Sequence, residues 1–150
     1  MICLKFKKGE KLSFIDLYDG ACVYYIRNLD NGKMYIGSTK NYRARISVHV
    51  TKLRVPHLED RKKFGGSPID MISDFEKGNQ FESGIISRIG KDIDKETAKK
   101  MRSLEAFFII KYDSVEKGYN QVYTNRTREW TLKDIRRDSE FIVSKLLGLD

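Results

Sequence analysis

Tyr24 and Tyr35 flank a tight turn, and a basic helical stretch carrying Arg45 and His49 follows them. A tyrosine is ordinarily a packing group, and a pKa of about 10 makes it a poor base at neutral pH. A neighbouring cation changes that, because positive charge favours the ionised phenol. Arg45 is such a cation and is also a good phosphate ligand. Further along, Glu105 sits within "RSLEAFFIIKY", among apolar residues. A carboxylate in that setting is costly to bury unpaired. A salt bridge to Arg102 would answer the cost. So would a hard cation, since one carboxylate can hold a magnesium ion that keeps most of its waters and shares itself with a phosphate. Asn120, in "GYN", suits a turn, or the orientation of a water or a neighbouring side chain. Cys3 and Cys22, with His49 and His57, have no spacing suited to zinc or to a redox pair.

The elements that must position these groups follow from periodicity. Residues 22–29 and 33–37 are rich in β-formers, and Asp30-Asn31-Gly32 between them predicts a hairpin. Alternation puts Tyr24 and Ile26 on one face of the first strand, with Val23, Tyr25 and Arg27 on the other. Tyr35 and Gly37 share a face opposite Ile36, and Gly37-Ser38 is expected to break the strand. Asn41 can cap a helix from Tyr42 to about Arg54, ending before Pro56. Arg45 and His49 lie one turn apart on it, with Tyr42 on the same side. Ile46, Val50 and Leu53 form its apolar stripe. Ser67-Pro68 predicts a second helix, stopping at Gly78. Phe81 to Ile89 reads as a strand. Asp92 or Asp94 begins a long helix to about Tyr112, with Met101, Leu104, Phe108 and Ile109 on its apolar side. Thr131 caps a last helix, with Asp134 three positions on and Leu132, Ile135, Ile142 and Leu146 along one side. This order fits an α+β domain, a small antiparallel sheet with helices around it.

Of the 150 residues, 40% are hydrophobic and 33% charged, as in an ordinary globular chain. No apolar run approaches the roughly 20 residues a membrane span needs, and no secretory signal is evident, so a cytoplasmic protein is expected. The net charge of +8 is uneven: residues 21–64 hold ten Lys/Arg against three Asp/Glu, whereas residues 65–124 hold nine against ten. A one-sided basic surface points to a polyanion, with nucleic acid first. Lys40, Arg43, Lys52, Arg54, His57, Arg61, Lys62 and Lys63 are the candidate DNA contacts, positioning the backbone without reading sequence.

Four elements in order carry a family resemblance. "CVY" (Cys22-Val23-Tyr24) and "YIG" (Tyr35-Ile36-Gly37) resemble the two tripeptides of the GIY-YIG nucleases. "YIGSTKNYRARISVH" resembles that family's second strand and following helix, placing its arginine at Arg45 and a histidine at His49. "LEAFFIIKY" resembles its metal-glutamate helix, placing that residue at Glu105, and "GYN" its closing motif, placing an asparagine at Asn120. Cys22 stands where the family name has glycine. The resemblance covers about residues 21–122, leaving 1–20 as an N-terminal arm and 123–150 as a C-terminal helical extension. It implies a three-stranded antiparallel sheet flanked by helices and a one-metal DNA endonuclease. In that mechanism Tyr24 is the general base, with Tyr35 as its rival. Arg45 binds the scissile phosphate and keeps a tyrosine hydroxyl acidic, and His49 relays a proton or braces a tyrosine. Glu105 holds Mg²⁺ (Mn²⁺ as substitute), and Asn120 supports the geometry. The expected partner is double-stranded DNA, met by a monomer or a transient homodimer, in a free-standing homing, phage-type or restriction-like enzyme. A non-catalytic nucleic-acid-binding module with the same fold is the alternative, and a structural protein whose tyrosines are core residues is a third.

Overall fold

The computed structural model describes residues 3–54 and 68–120. Its elements are β1 (Cys3–Phe6), β2 (Ala21–Asn28), β3 (Met34–Thr39), α1 (Tyr42–Leu53), α2 (Ile69–Glu76), β4 (Phe81–Gly90) and α3 (Lys95–Lys111). The helix expected after Thr131 lies outside the described residues, as does Ser67, the expected cap of α2. Among the described residues no helix is long and apolar enough to cross a membrane.

The sheet is antiparallel with strand order β1-β4-β2-β3. It has four strands where three were expected. The extra one is β1, which falls within the segment expected to be an arm. Its sequence "CLKF" alternates, and Leu4 and Phe6 are buried. Four residues are too few for period-two patterning to stand out from chance.

The β2–β3 hairpin forms around Asn28. Its buried side-chain oxygen accepts from the backbone N–H groups of Asp30 (2.8 Å) and Asn31 (3.3 Å). Gly32 then takes φ +78°, which an L side chain adopts only with strain. The strand does not break at Gly37-Ser38 as expected but runs on to Thr39. The reason is the cross-strand neighbour. Gly37 pairs with Tyr24, and a Cβ on Gly37 would lie 2.6 Å from the Tyr24 hydroxyl oxygen. The glycine makes room for an aromatic ring, a use of strand glycine distinct from termination.

The helices sandwich the sheet. On one face α1 contributes Tyr42, Ile46, Val50 and Leu53, and α2 contributes Met71, Ile72 and Phe75, packed on Leu4, Phe6, Cys22, Tyr24, Ile26 and Phe81. On the other, α3 sets Met101, Leu104, Phe107 and Phe108 against Ala21, Val23 and Ile36. Caps fix where two helices begin: Asn41 accepts from the Ala44 N–H at 3.0 Å and Asp94 from the Thr97 N–H at 2.7 Å. α2 follows Pro68 directly and ends before Gly78, whose φ is +91°.

The packing of Tyr24 across Gly37 predicts that Gly37→Ala lowers stability by about 1–3 kcal/mol, the usual cost of overpacking a filled site. Thermal unfolding of Gly37→Ala in wild-type and Tyr24→Leu backgrounds measures it. The cost should shrink once the ring is gone.

Candidate active site

The hairpin and α1 bring four candidate residues together. The Tyr24 hydroxyl lies 2.9 Å from His49 Nε2. The Tyr35 ring packs edge-on to His49 at 5.3 Å and lies 6.3 Å from the Tyr24 ring. The half-buried Arg45 guanidinium reaches both tyrosine hydroxyls. Burial works to lower its pKa, and hydrogen bonding and attraction to Tyr24 and Tyr35 more than offset that. His49, placed by periodicity beside Arg45, belongs to the buried stripe of α1, only 1% exposed. Tyr42, expected on the same side, is a packing residue whose hydroxyl bonds Ser83 Oγ at 2.8 Å.

The electrostatics depart from expectation at one point. Arg45 does press the tyrosines toward ionisation, but burial wins. Desolvation raises the Tyr24 pKa, aided by Tyr35 and opposed by Arg45. Desolvation likewise raises that of Tyr35 against Arg45. Both phenols therefore keep their protons at neutral pH. His49 is pushed down to about 3, by burial first and then by the charges of Arg45 and Lys52, so its imidazole is neutral. Lys52, two turns beyond Arg45, is itself lowered by burial and then by Arg45. Two cations held within reach of each other make a natural seat for an anion.

Glu105 comes from the opposite face of the sheet. Its carboxylate is bonded to Ser38, with Ser38 Oγ donating to Oε2 at 3.1 Å and the Ser38 backbone donating as well. Arg102 acts on it through charge, while its hydrogen bonds go to β3. Burial raises its pKa against those Ser38 bonds and the charges of Arg102 and Arg45. Its charge is felt in turn at both Tyr24 and Tyr35. The acid thus points toward the hairpin. Among the described residues no three His, Cys, Asp or Glu side chains converge. The donor at Glu105 is a single hard carboxylate oxygen set, which fits magnesium retaining most of its waters.

Asn120 spends its amide on the strand. Oδ1 accepts from Ile36 N–H at 2.8 Å, Nδ2 donates to Ile36 C=O at 3.0 Å, and Ser114 Oγ donates to the same Oδ1 at 2.7 Å. The rest of "GYN" completes this clasp. Tyr119 N–H donates to Met34 C=O at 2.7 Å, and a Cβ on Gly118 would come 2.3 Å from that carbonyl oxygen. Cys22 is buried in the core, its thiol pushed up to about 12 by desolvation, so its Cβ is accommodated and its sulfur is inert.

The candidate DNA contacts divide. Lys40 is exposed just before α1, and Lys52 is half-buried beside Arg45. Arg43 departs from expectation: Nε and Nη2 both donate to Leu17 C=O, at 3.0 and 2.8 Å, tying the segment before β2 to α1. Arg54 donates to Glu10 C=O from an exposed position. His57, Arg61, Lys62 and Lys63 lie outside the described residues. Ser38 and Ser114 were not singled out by sequence. Because β3 runs on past Gly37, Ser38 falls on the Ile36 side of the strand, the side that faces α3.

Two measurements follow. Asn120→Asp replaces the donor facing Ile36 C=O with an acceptor, and should cost about 1–3 kcal/mol in urea unfolding, with faster hydrogen exchange at the Ile36 amide. His49 stays neutral in the fold to about pH 3, whereas in the unfolded chain it protonates near 6.5. The unfolded state binds the extra proton between those values, so stability falls as pH drops through that window, by at most about 1.4 kcal/mol per pH unit. In His49→Gln that part of the pH dependence of the unfolding free energy should vanish.

The sequence of the GIY-YIG catalytic domain family matches residues 20–95, about half of the chain. "Intron-associated endonuclease 1" of Enterobacteria phage T4 is 29% identical over 133 residues, covering 85% of this chain and 49% of that protein. This chain thus spans about half the length of that relative. A solved structure, the catalytic domain of intron endonuclease I-TevI with one glutamate replaced by alanine, superposes with a TM-score of 0.54 at 27% identity, covering 70% of this chain and 96% of that one. With the two tripeptides on adjacent strands of one hairpin, meeting at Tyr24 and Gly37, the chain belongs to the GIY-YIG catalytic domain family.

Proposed function

We propose that this protein is a metal-dependent DNA endonuclease that hydrolyses phosphodiester bonds of double-stranded DNA. The observation that carries this is the approach of Glu105 to the hairpin. An acid from α3 is bonded to Ser38 of β3 and electrostatically coupled to Tyr24, Tyr35 and Arg45. The family and the endonuclease named among its relatives support the same reaction.

In the proposed reaction Arg45 binds the scissile phosphate, with Lys52 beside it and Lys40 contacting the flanking backbone. Tyr24 accepts a proton from the attacking water as its own hydroxyl proton passes to His49 Nε2, 2.9 Å away. Tyr35 is the rival for that role, being less buried and held by the same guanidinium. Magnesium held by Glu105, with manganese as substitute, would supply positive charge to the departing 3′ oxygen. Asn120 keeps β3, and with it Tyr35 and Ser38, in place. One such site cuts one strand, so a monomer nicks and a double-strand break takes a transient dimer or successive cuts. A homing or phage-type role in the cytoplasm fits the relative.

Purified protein incubated with supercoiled plasmid tests this. Nicking should require Mg²⁺ or Mn²⁺. It should fall by about 10²-fold or more in Glu105→Ala and in Arg45→Ala, and further in Tyr24→Phe than in Tyr35→Phe. Nicking that survives chelation or Glu105→Ala would refute the metal mechanism. Salt-sensitive binding with no cutting in any divalent metal would identify a binding module instead.

A further inference from the structure

We propose that Ser38 is a positioning residue that aims Glu105 at its cation. This rests on the reading of Glu105 as the metal carboxylate. Glu105 ends in a long, rotatable side chain. The α3 residues one turn away include Met101, Phe108 and Ile109, all buried and apolar, which give a carboxylate nothing to hold. Arg102, also one turn away, is exposed and acts on it through charge. What fixes the acid comes from across the sheet edge. Ser38 gives it two donors, Oγ at 3.1 Å from Oε2 and the backbone. Ser38 is itself held rigidly, paired with Val23 in the sheet and adjacent to the Gly37 on which the Tyr24 ring lies.

The strand that presents Tyr35 therefore also orients the acid. One rigid segment sets the separation between the phenols and the carboxylate oxygen that would meet the ion. Hydrogen-bonding partners of metal ligands typically change affinity or activity by about 10–100-fold when removed. Ser38 stands in that relation to Glu105, and its hydroxyl is the removable half of the pair of bonds.

The test compares two β-branched substitutions of equal bulk, Ser38→Thr, which keeps the hydroxyl, and Ser38→Val, which lacks it. Both suit a strand, so any general packing cost is shared. The readout is Mn²⁺-induced broadening of amide NMR signals around Ser38 and Glu105 in the folded protein, with nicking measured in parallel. Ser38→Val should need about tenfold more Mn²⁺ for half-maximal broadening. Ser38→Thr should stay within about twofold of wild type. Nicking by Ser38→Val should recover at high metal, with KM for DNA unchanged. Equal metal requirements for the Thr and Val variants, with broadening abolished in Glu105→Ala, would overturn the role of Ser38 and leave that of Glu105 standing. Broadening absent from wild type, or persisting in Glu105→Ala, would overturn the metal assignment and this proposal with it.

Discussion

The architecture depends on how the free edge of β3 is satisfied. An edge strand presents a row of unpaired backbone groups that must go to water or to a partner. In β3 the outward-facing groups are taken one after another by the elements that follow. Met34 C=O accepts from Tyr119, Ile36 gives and receives at Asn120, and Ser38 donates to Glu105. Every second residue along an edge faces the same way, so these contacts form a short ladder built from a loop and a helix. The ladder seals the edge against stray strand pairing. It also brings residues remote in sequence alongside the tripeptide that carries Tyr35. Register in the hairpin is thereby locked from both sides, by β2 on one flank and the clasp on the other.

The adjacent tyrosines of β2 show how partners give one residue type two different environments. Tyr24 lies over Gly37 and Tyr25 over Gly84; a Cβ on either glycine would come within 2.7 Å of a phenol oxygen. The backbone device is the same on both faces of the sheet. On one face the hydroxyl meets His49 and Arg45. On the other it donates to Glu82 at 3.1 Å, and burial together with that carboxylate pushes Tyr25 up to about 12. An acceptor anion beside a phenol holds its proton in place, whereas a cation and a neutral imidazole offer the phenolate a counter-charge and the proton a destination. The same residue type, one position along, is a strut.

Much of this was legible in the sequence because the signals are local. The Asp30-Asn31-Gly32 turn, the caps at Asn41 and Asp94 and the stripe of α1 each need only neighbouring residues, and each formed as expected. What was hidden depends on distant carbonyls and rings. Arg43 carries the same charge as Arg45 on the same helix, yet a carbonyl from residue 17 engages two of its donors. Gly37 looked like a strand terminator because nothing local reveals that an aromatic ring crosses it. Ser38 was expected to end the strand with Gly37, and nothing local shows that its partner lies 67 residues away. Charge and type are written in the chain, whereas the recipient of each donor is set by the fold.

The burial that keeps both phenols protonated is consistent with the proposed chemistry once the missing substrate charge is considered. Burial is the first cause that depresses His49 and Lys52; the charges of Arg45 and Lys52 add to it at His49, and that of Arg45 adds to it at Lys52. The part due to charge is a like-charge penalty in a region of low dielectric, where it is larger than in water. A phosphate seated between the two cations would offset that part and leave the part set by burial. In the proposed reaction His49 would then be a somewhat better acceptor for the Tyr24 proton than it is without that phosphate. A site that kept a phenolate ready at rest would have its counter-charge already spent on Arg45, with less left for the phosphate. In the proposed reaction, holding the tyrosines neutral would leave the guanidinium charge available to the incoming anion and would tie the release of the proton to the arrival of the phosphate.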